Sequence, residues 1–136
     1  MQWIKKSLLI CTALFPLISQ ADMLVSQATM FATEKAGEPS AIFMQLQNTG
    51  DEAVHLALLE SEQPSRLALH GMQNGKMIDL DGIEIPAKQT ISLKRGGLHI
   101  MVFDLLTPIK QGSPFPLTLY FDDGEVVKVN VIAQSK

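Results

Sequence analysis

The chain has 136 residues, 46% of them apolar, with 11 basic and 14 acidic side chains. That length suits one hydrophobic core rather than two. The basic residues are scattered without a run, which argues against nucleic acid as a partner, and a single cysteine excludes a disulfide-stapled scaffold.

Lys5 and Lys6 open the chain ahead of an apolar run, Ser7 to Ile18, which ends in the small-residue pattern Ser19-Gln20-Ala21. This pattern predicts a secretory signal over residues 1–21, cleaved after Ala21, followed by a domain over 22–136 located in the periplasm. The apolar run is shorter than the roughly 20 residues a membrane-spanning helix needs, so no membrane insertion is expected after cleavage. Cys11 lies inside this leader. A lipid anchor there is the weaker reading, because Ile10 before it is not small and the apolar stretch leading to it is short. Removing Lys5 and Lys6 from the 11 basic residues leaves nine against 14 acidic ones, a net charge of −5 on a thiol-free domain. Such a balance favours solubility and mildly attracts cations.

From residue 22 onward, period-two alternation bounded by turn residues replaces helical periodicity, the signature of half-buried antiparallel strands. Strands are expected at Met23 to Phe31, Ala41 to Gln47, Ala53 to Leu59, Arg66 to Met72, Met77 to Leu80, Thr90 to Lys94, Leu98 to Phe103, Pro116 to Phe121 and Glu125 to Ile132. Lys35 to Ser40 and Ser61 to Ser65 read as loops. Leu117, Leu119 and Phe121 alternate in one strand and Val127, Val129 and Val131 in the next, which predicts a hairpin across Asp122-Asp123-Gly124. Short strands with frequent turn signals point to an all-β, Greek-key sandwich of immunoglobulin or cupredoxin type, in a single domain.

Two stretches concentrate histidine and methionine: His70-Gly71-Met72-Gln73-Asn74-Gly75-Lys76-Met77 and His99-Ile100-Met101. Asn74-Gly75 is a preferred two-residue type I′ turn, so Gln73 should pair with Lys76 and Met72 with Met77. Residues two apart on a strand share a face, as do directly opposed residues, so His70, Met72 and Met77 point to one side. His99 and Met101 share a face of their own strand. Thioether sulfur is a poor ligand for zinc, calcium or magnesium and a good one for Cu(I), and imidazole completes such a site without adding negative charge. A blue-copper centre requires a cysteine thiolate, and structural zinc lacks its ligands here. The bland alternative is that these methionines fill gaps in a core and these histidines are ordinary strand residues. Met30 and Met44 read as core, and His55 as solvent-facing.

These residues resemble the PCuAC periplasmic copper chaperones, whose pattern is H(M)-x10-M-x21-H-x-M. Met77 and His99 have the matching separation, and His99-Ile100-Met101 supplies H-x-M. The flanking text is similar as well: Asp81-Gly82-Ile83-Glu84-Ile85-Pro86-Ala87, Leu93-Lys94-Arg95-Gly96-Gly97-Leu98 and Pro116-Leu117-Thr118-Leu119-Tyr120-Phe121, with a weaker match at Gln47-Asn48-Thr49-Gly50-Asp51-Glu52-Ala53. The likeness extends over roughly residues 41 to 133. It implies a Cu(I) chaperone, one ion per monomer, with His70, Met77, His99 and Met101 as ligands, and Cu(II) as a second candidate through the histidines. The implied partner is a copper-accepting periplasmic or membrane-anchored protein, a cytochrome c oxidase subunit or its assembly factor. One departure stands out: His70 is followed by six residues before Met77 where the family has about ten. With the hairpin tip shortened in phase, His70 should face Asp79 and meet Met77 diagonally, which makes Met72 a further candidate ligand.

No nucleophile-and-base pattern, metalloprotease motif or phosphate-cradling loop is present, so no enzyme is expected. The competing function is a metal-free, immunoglobulin-like binding or structural module. In that case the His and Met side chains would pack into the core instead of converging at one edge.

Overall fold

The computed structural model describes residues 22–136, and among these every regular element is a strand. The signal reading, the cleavage after Ala21 and Cys11 fall outside the described residues. The strands are β1 (Met23–Phe31), β2 (Ser40–Asn48), β3 (Val54–Ser61), β4 (Arg66–Gln73), β5 (Lys76–Leu80), β6 (Ile83–Ile85), β7 (Thr90–Leu93), β8 (His99–Phe103), β9 (Pro114–Phe121) and β10 (Val126–Gln134). They form one hydrogen-bonded ladder in the order β5-β4-β8-β2-β1-β10-β9-β3-β6, with β7 also on β2. All pairings are antiparallel except β1 with β10.

The alternation expected of β9 is what makes it the spine of the core. Phe115, Leu117, Leu119 and Phe121 are buried while the residues between them are half-exposed. Across the expected β9–β10 hairpin, Val127 pairs with Leu119, Val129 with Leu117 and Val131 with Phe115. From the other side of the ladder, Ile42, Met44 and Leu46 of β2, Ile100 and Val102 of β8, and Leu69 of β4 join the same apolar cluster. Burying such side chains contributes roughly 1.5–3 kcal/mol each, without a disulfide. Met30 and Met44 are core residues, as expected, and His55 is exposed beside Asp122.

Two features differ from the sequence reading. The short strand β6 was not expected. Its three residues alternate buried, exposed, buried, and that is too little repetition to separate a strand from a turn. Ser40 and Ser61, expected in loops, are instead the first residue of β2 and the last of β3, because neighbouring strands extend the pairing beyond the apolar stretch.

Asn48 carries a structural role that its turn-like composition concealed. It is fully buried, and its side-chain Nδ2 donates to the Glu52 and Ile85 carbonyls at 2.8 and 2.9 Å, while Oδ1 accepts the Gly50 N–H at 2.9 Å. The loop after β2 is thereby tied to β6.

Candidate metal centre

The site is built on three neighbouring strands, β5, β4 and β8. Asn74 and Gly75 adopt φ of 53° and 77°, as a type I′ turn requires, and they set the register Gln73 to Lys76, Met72 to Met77 and His70 to Asp79. On its other edge β4 pairs with β8, placing His70 directly opposite His99 and Ala68 opposite Met101. Because the side-chain period is two, His70, Met72, Met77, Asp79, His99 and Met101 all lie on one face, opposite to Ile100 and Val102 in the core.

On that face two of the donor atoms are in contact. The His70 Nδ1 lies 2.8 Å from the Met77 Sδ, the diagonal contact that the shortened hairpin predicts. The rings of His70 and His99 are 5.6 Å apart and edge-to-face, and Phe103 flanks His70 at 6.3 Å. Both histidines are nearly buried, at 9% and 6% exposure, whereas Met77 is 52% exposed. Met101 is half-buried. Met77, His99 and Met101 share the wall of an open cavity of about 360 Å³ whose remaining lining includes Phe31, Phe43 and Arg95. Met72 stands outside that wall, 43% exposed near the hairpin tip. Met77, His99 and Met101 thus line one cavity, His70 touches Met77 and faces His99 without lining it, and Met72 lies outside.

The hydrogen bonds fix which nitrogens are free. His99 Nδ1 sits 2.8 Å from the Gly97 carbonyl. A carbonyl only accepts, so Nδ1 carries the hydrogen, and in the neutral ring Nε2 keeps its lone pair. That carbonyl is placed by the β7–β8 turn, where Gly96 has φ of 81° and the Gly97 N–H donates to Lys94 at 3.0 Å. His70 Nε2 lies 2.8 Å from Asp79 Oδ1 and donates to it, which leaves Nδ1 bare toward Met77 in the neutral ring. Two acceptors in contact are satisfied by a proton on Nδ1 or by a cation that both can ligate.

Among the described residues no three His, Cys, Asp or Glu side chains gather as a metal-holding group. The assembled donors are therefore two imidazoles and two thioethers, a soft and uncharged set suited to Cu(I) rather than to zinc or calcium. Sequence reasoning missed the aromatic wall, Phe31 edge-on to Phe43 at 5.4 Å with the Arg95 guanidinium 4.8 Å above Phe31. The wall depends on β2 pairing with β8 and β1 with β2, an order that local pattern does not announce.

Residues 23–133 match the sequence family described as "Putative lipoprotein LpqE-like". The chain belongs to the LpqE-like family. A curated relative, "Putative lipoprotein Lxx21020" from Leifsonia xyli subsp. xyli, is 34% identical over 101 residues, 68% of this chain and 58% of the relative. The LpqE-like chain therefore spans little more than half the length of that relative. Membership of a lipoprotein family agrees with an exported protein.

Solved structures give the fold its counterpart. The copper-bound PCuAC domain from PmoF2 superposes with a TM-score of 0.75 at 16% identity, over 88% of this chain and 97% of that one. The apo PCuAC domain from PmoF1 gives 0.76 at 19%, over 88% and 98%. The Cu(I)-bound DR1885 protein of Deinococcus radiodurans gives 0.64 at 24%, over 82% and 79%. The LpqE-like chain thus has the cupredoxin-like PCuAC sandwich that its sequence resembles.

Proposed function

We propose that this protein is an exported, non-enzymatic carrier of Cu(I), holding one ion through His70 Nδ1, Met77 Sδ, His99 Nε2 and Met101 Sδ. The observation that supports the reading is the placement of two imidazoles and two thioethers on one face of β5-β4-β8, opposite the core, with His70 against Met77 and Met77, His99 and Met101 around one cavity. A metal-free packing module would direct those side chains into the core. The copper carried by the structural relatives PmoF2 and DR1885 supports the same reading.

Release follows from exposure. The buried histidines form a fixed base, while the exposed thioether of Met77 is reachable by a donor atom from an incoming protein. That donor would bind the copper before the carrier's ligands let go, a ligand-exchange route that a fully enclosed ion lacks. Met72, close to the turn, is placed to take part in the exchange rather than in the resting site. Copper in the Cu(II) state would rely on the two imidazoles.

On this reading the leader over residues 1–21 delivers the protein to the periplasm. The recipient implied by the PCuAC resemblance is a copper site of cytochrome c oxidase or the assembly factor that loads it. X-ray absorption of the Cu(I)-loaded protein tests the ligand set: nitrogen and sulfur shells together are expected. A shell of oxygen and nitrogen alone would rule it out.

A further inference from the structure

We infer, resting on the copper-carrier reading, that Asp79 is a positioning residue for the metal: its carboxylate holds His70 in the Nε2–H tautomer, so that Nδ1 is the nitrogen offered to copper. The hydrogen bond is the 2.8 Å contact from His70 Nε2 to Asp79 Oδ1, and the bare nitrogen is the one 2.8 Å from Met77 Sδ. Ligating histidines are commonly oriented by an acceptor on the ring nitrogen away from the metal. His99 follows the same rule with the nitrogens exchanged, because the Gly97 carbonyl takes its Nδ1–H. Two histidines directly opposed across β4 and β8 thus present different nitrogens, one near its backbone and one at the far side of its ring.

The length of the hairpin creates this arrangement. Six residues between His70 and Met77 close the turn at Asn74-Gly75 with Asp79 opposite His70 and Met77 two pairs nearer the tip, on the same face. The same strand therefore supplies both the thioether ligand and the carboxylate that aims the imidazole at it. Asp79 is 89% exposed, so it has no packing role to confuse with orientation. A hydrogen bond to so exposed a carboxylate adds little to stability, which leaves ring orientation as the effect to detect.

Long-range proton–nitrogen NMR of the copper-free protein reads the tautomers directly, and Cu(I) competition against a chelator reads the consequence. The wild type should show His70 as Nε2–H and His99 as Nδ1–H. Asp79→Ala should move His70 away from that tautomer, leave His99 unchanged and weaken Cu(I) binding about 10- to 100-fold. Asp79→Asn keeps an oxygen acceptor and should restore the tautomer and most of the affinity. An unchanged His70 tautomer in Asp79→Ala would overturn the assignment, as would a changed tautomer with unchanged affinity. A wild type that binds no Cu(I) would overturn the carrier reading together with the metal half of this one, while the tautomer shift would still decide whether Asp79 orients the ring.

Discussion

His70 and His99 face each other across β4 and β8 with their rings 5.6 Å apart, yet each is held by a different acceptor, Asp79 for one and the Gly97 carbonyl for the other. A strand pair that served packing alone would have no reason to place two imidazoles side by side on an outer face with opposite nitrogens free. Beside them, the thioether of Met77 completes a soft donor group.

Met77→Leu tests the sulfur without changing the side chain's bulk much. The side chain is half out in solvent, so the fold should melt as the wild type does. Cu(I) affinity should fall more than about tenfold, equivalent to roughly 1.4 kcal/mol of binding. Competition titration beside a thermal melt separates the two effects.

The hairpin turn offers a second, indirect test. Gly75 sits at φ of 77° with open space where a Cβ would go, so Gly75→Ala introduces backbone strain and no clash. The left-handed conformation costs an L-residue roughly 1–2 kcal/mol. The β4–β5 hairpin should fray, with faster amide exchange at Lys76 and Met77 and weaker Cu(I) binding, while exchange in β9 stays slow.

Asn48→Ala should show the reverse pattern. It strips hydrogen bonds from the Glu52 and Ile85 carbonyls and from the Gly50 N–H at the end of β2 remote from Ala41 and Met101. Leaving buried groups unpaired costs about 1–3 kcal/mol each, so chemical denaturation should register a clear loss of stability. The copper site of the folded fraction should bind as before.

The loop before β2 has its own pH dependence. Hydrogen bonds from the Glu34 and Lys35 N–H groups, with the nearby Lys136, hold the Glu38 carboxyl below its ordinary value of 4.5. A lowered carboxylate pKa stabilises the folded form above the unfolded value, and that contribution is lost as pH falls through the lower folded value. Amide protection at Glu34 and Lys35, taken relative to the intrinsic exchange rate at each pH, should fall below pH of about 4.5. Glu38→Gln should remove that acid-side change, and an identical pH profile in both proteins would disprove the role.

Much of this was legible in the residues. Asn74-Gly75 determines a local pairing, so the register of Met72, Met77, His70 and Asp79 could be written down before any coordinates. The period-two rule likewise put His99 and Met101 on one face. The meeting of the two halves was less accessible, because β4 pairing with β8 is a contact between strands far apart in sequence, and no turn chemistry encodes it. The resemblance to PCuAC chaperones supplied that link. Phe31 and Phe43 stayed hidden for the same reason, and β6 because three residues carry no period. Asp79 was expected opposite His70, but its acceptor role needed the 2.8 Å contact to be seen.

The most direct test is anaerobic Cu(I) competition titration of the protein with a chromophoric chelator, run beside the His99→Ala, Met101→Ala double variant and a thermal melt of both. One tight equivalent in the wild type, lost in a variant that still folds, is the predicted result. Absence of binding in the wild type, or stoichiometric binding retained in the folded double variant, would contradict the assignment.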